Sequence, residues 1–376
     1  MFVTNHSKIR ILFLHLAIIL KQGKNVHQII SEKKDIEISG KRYLIDAMSA
    51  MAQGLFCTLL IGTILNTLGT QFKIGFLTET IVTIASTPYT IGGLAQAMVG
   101  PAMAVAIGYA LKAPAMVLLT LVPVGFATNA MGGAGGAFAV YVVSILAAET
   151  GKAVSKETKV DILVTPIITL LAGLGFAAVV AAPIGAGASW IGNVIMWATE
   201  QHPFIMGMLV SAIVGICLTL PISSAAICAG LGLTGLAGGA AVAGCCAQMV
   251  GFAVMSFREN RWAGIISQGL GTSMLQMANI IRNPRIWAVP IIISLITGPI
   301  ATCVFKMEMN GAAVNSGMGT CGLCGPIGVW TGWTQPSAFD WFGLALISVV
   351  IPAVLAAVLG LLFRKAGWIR EGDLKL

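Results

Sequence analysis

The sequence predicts an all-α polytopic membrane protein with about ten transmembrane helices, re-entrant glycine-rich loops and a candidate inverted repeat. The chain is 57% hydrophobic and 10% charged, with a mean hydropathy of +0.91, whereas soluble globular domains carry about 25% charged residues. Apolar runs of roughly 14 to 26 residues recur along it, and about 20 such residues cross a bilayer as a helix. The apolar-polar alternation of membrane β-strands does not appear, which excludes a β-barrel.

The first 42 residues predict a cytoplasmic arm. Within this arm, Ile11–Leu20 is apolar but too short to span, and it lacks a small-residue cleavage site. It therefore predicts an interfacial amphipathic helix and not a signal peptide. The arm is basic, which places it on the cytoplasmic side; its cations are Lys8, Arg10, Lys21, Lys24, Lys33, Lys34, Lys41 and Arg42.

Residues 43–365 predict the transmembrane domain, and 366–376 predict a cytoplasmic tail. Basic loops orient the chain so that both ends face the cytoplasm. The loop 331–341 has two Trp and no Lys or Arg, which suits the outer interface. The predicted spans are 47–69, 88–111, 113–128, 137–150, 162–187, 204–220, a glycine-rich pair within 223–256, 286–305 and 342–363. The orienting cations are Lys152, Lys156, Lys159, Arg258, Arg261, Arg364, Lys365, Arg370 and Lys375.

Residues 263–283 predict a helical segment that does not cross the membrane. A crossing would put the Arg282 and Arg285 end outside, against the charge rule, because Arg258 and Arg261 are predicted inside. The polar residues of this segment are spaced by four, four and three, which places them on one helical face. That face must meet water, protein or a ligand, because lipid cannot satisfy amides and hydroxyls.

Two glycine-rich runs interrupt apolar segments, NAMGGAGGAF at 129–138 and NSGMGTCGLCGPIG at 315–328. Backbone freed from helical bonding at membrane depth is tolerated where it is buried in protein or lines a cavity. Both runs predict re-entrant, cavity-lining loops, and the alternative is close helix packing through small residues.

The segments 93–114 and 264–284 are candidate repeats of each other. Each has an early Gly, a Gln four or five residues in, a later Gly and a terminal basic-x-Pro, and each leads to a glycine-rich run. The loop after the first copy is basic and the loop after the second is not, as an inverted repeat requires. Such repeats point to a midplane substrate site in transporters.

Catalytic residues, metal ligands and cofactors are not predicted. The chain has no Ser-His-Asp order, P-loop or HExxH motif, and the lone CxxC of Cys321 and Cys324 lacks the second ligand pair of a zinc site. The net charge of +8 resides in loops and tails, so nucleic acid is not a predicted partner. Acids fall at span ends or loops, which disfavours ion coupling.

Neutral polar residues inside the apolar segments predict the solute site. Amides and hydroxyls supply donors and acceptors without charge, which suits a polyhydroxylated neutral ligand such as a sugar. The alternative is hydrogen bonding between helices. The predicted substrate-binding residues are Asn129, Gln268, Thr272, Ser273, Gln276, Asn279, Asn315 and Thr320, and Gln96 has the same character.

Four stretches carry a family resemblance. They are KVDILVTPIITLLAGLGFAAVVAAPIGA (159–186), SQGLGTSMLQMANIIRNPRIW (267–287), TGPIATCVFKMEMN (297–310) and GMGTCGLCG (317–325). Over about residues 43 to 365, the chain resembles the membrane (IIC) subunit of the sugar phosphotransferase system. More closely, it looks like the stand-alone branch that includes the perfringolysin-regulator-like membrane proteins.

The resemblance implies a multi-span fold, a homodimer, a bound sugar and a cytoplasmic IIB-type protein that donates phosphate. It also implies that the GTSMLQ run and the GMGT loop lie near the substrate path. The Gly-Ile-Thr-Glu type of motif known from this family does not occur, so no membrane acid is expected to act on the sugar hydroxyl. Three functions remain open: a phosphotransferase-type sugar permease, a non-phosphorylating transporter of another small solute, and a membrane sensor that regulates gene expression through a partner.

Overall fold

The computed structural model describes residues 34–376. The predicted interfacial helix at Ile11–Leu20 lies outside the described residues. The described part is almost entirely helical, with one small β-hairpin between Val82 and Tyr89.

The N-terminal half begins with a long helix and ends with the longest one. This longest helix has Pro166 and Pro183 inside it and continues to Thr199, beyond the predicted end at residue 187. The elements are α1 Lys41–Gln71, α2 Gly75–Thr78, β1 Val82–Ile84, β2 Thr87–Tyr89, α3 Ile91–Ala97, α4 Val99–Ala110, α5 Ala115–Gly132, α6 Gly136–Val154 and α7 Asp161–Thr199.

The C-terminal half is built around the helix Gly235–Met255, in which 89% of the most apolar stretch is buried. Its helices are α8 Pro203–Thr219, α9 Ser224–Gly230, α10 Gly235–Met255, α11 Phe257–Gly264, α12 Met277–Arg282, α13 Arg285–Val304, α14 Cys324–Thr331 and α15 Ala338–Lys365. Short helical turns at Ile265–Gly271, Ser273–Gln276, Ala313–Gly317 and Cys321–Leu323 connect them.

Within residues 34–376, six helical stretches are long and apolar enough to cross a membrane, or seven if the bent pair α3 and α4 counts as one span. The all-α polytopic fold is therefore confirmed, and the number ten stays a prediction. One of the six stretches, 115–154, comprises both α5 and α6. A Cβ on Gly151 near the end of α6 would lie 2.8 Å from Val117 near the start of α5, so this stretch folds back on itself.

The α5–α6 hairpin turns at the first glycine-rich run. Gly133 has a φ of 51° and a ψ of −124°, a conformation that glycine reaches without steric cost. The two arms have 18 and 19 residues, which is about the length that crosses a bilayer. The sequence therefore predicts the interruption correctly, and the structure makes it a tight turn.

Residues 257–282 form four short helical pieces and not one helix. Arg261 breaks the first piece with a φ of 51°, and Thr272 is extended with a φ of −157°. Each piece has at most eight residues, far fewer than the roughly 20 that a crossing needs. The prediction of a single helical face over this segment is wrong at Thr272, where the chain changes direction.

Small residues let α8, α10 and α13 approach closely. A Cβ on Gly244 of α10 would overlap the Ser211 carbonyl of α8, and one on Gly298 of α13 would overlap the Gly207 carbonyl. The hydroxyl of Ser211 donates a hydrogen bond to the Ser294 carbonyl over 2.6 Å. Without a hydrophobic force between helices in lipid, such small-residue contacts and interhelical hydrogen bonds hold a bundle together.

A charged cluster fixes residues 34–43 to the N-terminal helices. The buried guanidinium of Arg42 and the buried ammonium of Lys152 both donate to the Leu111 carbonyl, over 2.6 and 2.8 Å. Glu149 accepts an ion pair from Lys152 at 3.2 Å. A side-chain hydrogen bond from Arg42 lowers the pKa of Asp35. These hydrogen bonds and ion pairs explain how the buried cations Arg42 and Lys152 are tolerated.

Candidate functional site

A cavity of about 210 Å³ lies between the helices of the N-terminal half and those of the C-terminal half. Its walls come from α1, α3, α4, the α5–α6 turn, the α8–α9 connection and the broken segment at Thr272. The lining residues are Leu55, Leu59, Leu60, Gln96, Val99, Asn129, Gly133, Ala137, Leu218, Ile222, Ser223, Ser224, Ala225, Ala226, Thr272, Met274, Met318 and Cys321.

Both glycine-rich runs reach this cavity. The first contributes Asn129 and Gly133, and the second contributes Met318 and Cys321. Close packing explains other glycines of the runs, since a Cβ on Gly319 would lie 2.7 Å from the Cys245 backbone. The runs therefore contain both cavity-lining and closely packed residues, and their re-entrant course stays a prediction.

Two predicted site residues line the cavity directly. Thr272 is 6% exposed, and its hydroxyl oxygen accepts a hydrogen bond from the Met274 amide at 3.2 Å. Its hydroxyl proton has no acceptor among the described residues, so it can be donated to a ligand. The partly buried amide of Asn129 faces the same space from the end of α5.

Gln96 also lines the cavity, but its amide is engaged by neighbours. It donates to the Thr63 hydroxyl over 2.8 Å and accepts from the Asn66 amide over 3.3 Å. Asn66 in turn accepts from the Thr90 hydroxyl at 2.8 Å. These bonds fasten α3 to α1 and hold that wall of the cavity in place.

Ser223 and Ser224 are lining residues that the sequence analysis missed. Ser223 caps α9 by accepting from the Ala226 amide at 3.1 Å, and Ser224 donates to the Gly317 carbonyl over 2.7 Å. The latter bond ties α9 to the second glycine-rich run. The signal for them was present: two hydroxyl residues two positions after Pro221, at the start of an apolar run, are typical of a helix N-cap.

Ser273 turns away from the cavity into a buried network. Its hydroxyl lies 2.8 Å from that of Thr219, which donates to the Gln248 carbonyl oxygen over 3.2 Å. The indole N–H of Trp287 donates to the same oxygen over 3.0 Å. Gln248 therefore links α8, α10 and α13 directly behind the cavity. As an amide within an apolar run, it could have been selected from the sequence.

Replacing Gln248 with leucine is expected to destabilise the protein by roughly 1–3 kcal/mol, because it leaves the partly buried Trp287 N–H without its acceptor and removes one partner of the buried Thr219 hydroxyl. Thermal unfolding of the purified protein in detergent measures this. The matched control is Gln201→Leu, since within residues 34–376 the Gln201 amide donates a hydrogen bond only to the Trp197 carbonyl one turn away. Equal melting temperatures for the two variants would show that the network contributes nothing.

Gln268, Gln276 and Asn279 form an amide ladder. The Gln268 amide donates to the Ser256 hydroxyl over 2.7 Å, the Gln276 amide to the Gln268 carbonyl oxygen over 2.8 Å, and the Asn279 amide to the Gln276 carbonyl oxygen over 2.7 Å. All three side chains are at most 5% exposed. Arg282 closes the ladder by donating to Asn279 over 3.4 Å.

The remaining two predicted residues lie outside the cavity lining. The Thr320 hydroxyl is buried and donates to the Met249 sulfur over 3.6 Å. Asn315 packs against Gly328, where a Cβ would meet its side chain at 2.8 Å. Thr320 adjoins the lining residue Cys321, whereas the Asn315 side chain lies at Gly328, which does not line the cavity.

The cavity is chemically neutral. None of the described residues that line it is charged, and its polar groups are hydroxyls and amides set among Leu, Ala and Met side chains. A mostly apolar cavity with a few placed polar groups is typical of a small-molecule site. Hydroxyls and amides can each donate and accept, which matches the hydroxyls of a sugar.

Comparison with known protein families gives a match over most of the chain. The model of a family described as "Phosphotransferase system, EIIC" matches residues 45–376. No curated protein and no solved structure matches the chain. The family match covers every residue that lines the cavity.

Proposed function

The chain belongs to the EIIC family of the phosphotransferase system, and we propose that the cavity described above is its sugar-binding site. It is a multi-pass membrane protein and the permease component of a sugar phosphotransferase system, which works with separate IIA and IIB proteins. The observation that carries the proposal is the neutral lining of the cavity between the two groups of helices. Its volume of about 210 Å³ is below the roughly 300–1,000 Å³ of sites for drug-sized ligands, which suits one small solute.

We propose that the eight predicted site residues have different roles in sugar binding. Thr272 and Asn129 contact the sugar, because they line the cavity. Ser273 and Thr320 support the lining from behind, and the amide ladder lies at the inner end of the route. Asn315 steadies the second glycine-rich run through its contact with Gly328.

The chemical contribution of this chain is binding and positioning. Phosphoryl transfer depends mainly on holding the acceptor hydroxyl in line with the donor phosphate. The cavity supplies a fixed orientation, and the phosphate comes from the IIB protein. We propose no catalytic residue within this chain.

A thermal-shift screen of the purified protein tests sugar binding. The panel is glucose, galactose, mannose, fructose, sorbitol, maltose and lactose. A sugar present at 100 times its Kd is expected to stabilise the protein by about 2.7 kcal/mol. If no member shifts the melting temperature at high millimolar concentration, the proposed site is wrong for neutral sugars.

Thr272→Val and Asn129→Ala are expected to weaken binding of the panel sugar that binds best. Each lost hydrogen bond costs on the order of 0.5–1.5 kcal/mol, which is roughly twofold to tenfold in Kd. Titration by thermal shift or calorimetry gives the affinities. Thr199→Val is the control, because the only hydrogen bond of the Thr199 hydroxyl to a described residue goes to the Met196 carbonyl of its own helix. Unchanged Kd values in both site variants would leave these residues without a binding role.

We propose that both ends of the chain face the cytoplasm and that the protein is a homodimer in the cell membrane. The orientation is supported by the basic loops and the outward loop 331–341. This orientation assigns the domains 1–42 and 366–376 to the cytoplasm and the domain 43–365 to the membrane. The homodimer is proposed because the resemblance to the family implies one. Single cysteines at positions 260 and 336, labelled from each side of sealed vesicles, check the orientation, and the mass in detergent checks the dimer.

We further propose that the chain belongs to the perfringolysin-regulator-like branch of the family and has a regulatory role. The segments 267–287 and 317–325 support this placement. Transcript profiles of strains with and without the gene test it. Expression changes limited to sugar-uptake genes would argue against a wider regulatory role.

A further inference from the structure

Residues 367–376, here called the latch segment, lie across the amide ladder. The Leu374 carbonyl accepts from the Gln276 amide at 3.0 Å and from the Asn260 amide at 2.7 Å. The Lys375 carbonyl accepts from the Asn279 amide at 2.9 Å. The ladder residues thereby give their last free amide protons to the backbone of this segment.

Four further contacts hold the latch segment in place. The Asn283 amide donates to the Trp368 carbonyl and to the Asp373 carboxylate, over 2.9 and 2.7 Å. Asn260 accepts from the Leu376 amide at 3.0 Å. The Arg285 guanidinium lies 5.8 Å from the centre of the Trp368 ring. Two apolar anchors, Ile369 and Leu374, are 2% and 0% exposed.

The latch segment also covers a second cavity of about 400 Å³. Asp46, Ser49 and Gln53 of α1 form one wall of it. The opposite wall consists of Leu275, Ala278, Asn279 and Arg282. Gly372, Lys375 and Leu376 of the latch segment complete the lining.

Both cavities are lined by α1 on one side and by the broken segment 272–282 on the other. The sugar cavity touches α1 from Leu55 onward, and the second cavity touches α1 up to Gln53. On the other wall, Met274 lines the first and Leu275 lines the second. Met51 of α1 and Met274 of the opposite wall are buried in one apolar cluster. Methionine side chains are flexible and repack easily.

We propose that the latch segment closes the inner end of the sugar route, and that sugar leaves the protein only when this segment is displaced from Gln276 and Asn279. The inference rests on the proposed function, because it takes the first cavity as the sugar site. Once the latch segment lifts, the amide protons of Gln276 and Asn279 are free, and sugar hydroxyl oxygens can accept them in place of the two carbonyls. The ladder predicted from the sequence as a solute-binding face then acts during release and not in the closed state.

Asn260 and Asn283 allow the latch to be loosened without touching the ladder or the sugar cavity. The experiment uses Ser49→Cys as a reporter in the second cavity, in a background where the two exposed cysteines, Cys57 and Cys303, are serine. Inside-out vesicles are treated with a membrane-impermeant maleimide and no sugar. Asn260→Ala with Asn283→Ala is expected to speed labelling about tenfold or more, since each hydrogen bond lost shifts the opening equilibrium roughly twofold to tenfold.

Asn310→Ala is the matched control, because among the described residues the Asn310 amide donates a hydrogen bond only to the exposed Glu308 carboxylate. If the double variant does not fold, Trp368→Ala takes its place, since the Trp368 ring is 47% exposed. Labelling as slow as in the control, in a folded loosened variant, overturns the latch. Sugar binding is measured separately by thermal shift, so faster labelling without any sugar binding would retain the latch and reject the proposed function.

Discussion

Gly244→Leu is expected to abolish the folded protein. Gly244 faces Ser211 across the α8–α10 contact, and a Cβ at this position would overlap the Ser211 carbonyl, Cα and carbonyl carbon. The overlapped atoms are backbone, so no side chain can rotate to relieve the clash. Overpacking of this kind costs on the order of 3 kcal/mol or more, about a hundredfold in the folding equilibrium. Fluorescence size-exclusion profiles of membrane extracts report the folded yield.

Gly175→Leu provides the comparison for this result. Gly175 lies on the exposed side of α7, and a Cβ there would meet no atom of the described part of the chain within 4 Å. We expect a folded yield close to that of the parent, because leucine is as apolar as the lipid it would face. If Gly244→Leu also gave a monodisperse protein with the parental melting temperature, the close α8–α10 contact would be wrong.

The fold class could be predicted from the sequence because lipid imposes strong rules. Continuous apolar runs mark α8, α13 and α15 within a few residues of their observed ends. The hairpin at Val82–Tyr89 was missed: the predicted span 88–111 begins inside β2, whereas helix α3 begins only at Ile91. Its strands have three residues each, too few for an alternating pattern to stand out.

The site could be predicted only in part, for a physical reason that Thr272 shows. Spacing predicts that residues 268, 272, 276 and 279 share a face, and this holds only while the helix continues. Because the backbone is extended at Thr272, the Thr272 side chain lines the cavity. The Ser273 hydroxyl instead contacts Thr219, and the Gln276 amide joins the ladder. Tertiary contacts decide such a break, and periodicity does not report them. Ser223 and Ser224 reach the cavity from a distant part of the chain for the same reason.

The neutral cavity leads to the second large expected effect, which is loss of sugar binding when the cavity is filled. Ala226 of α9 lines the cavity and is exposed, so Ala226→Phe places a benzyl group in open space without disturbing a packed contact. The added ring occupies much of the cavity of about 210 Å³. We expect the affinity for the best panel sugar to fall by about a hundredfold or more, equivalent to roughly 2.7 kcal/mol. Sugar uptake by whole cells should fall with it.

Ala229→Phe separates filling of the cavity from disturbance of helix α9. Ala229 is exposed on the same seven-residue helix but does not line the cavity. Its variant is expected to bind sugar as the parent does, and both variants should keep the parental melting temperature without sugar, because neither replaced side chain is packed. Parental affinity in both would place the sugar elsewhere in the protein. Equal loss of affinity in both variants would instead mean that any large side chain on α9 disturbs sugar binding. Loss of affinity in Ala226→Phe alone locates the sugar in the cavity between the two halves of the protein.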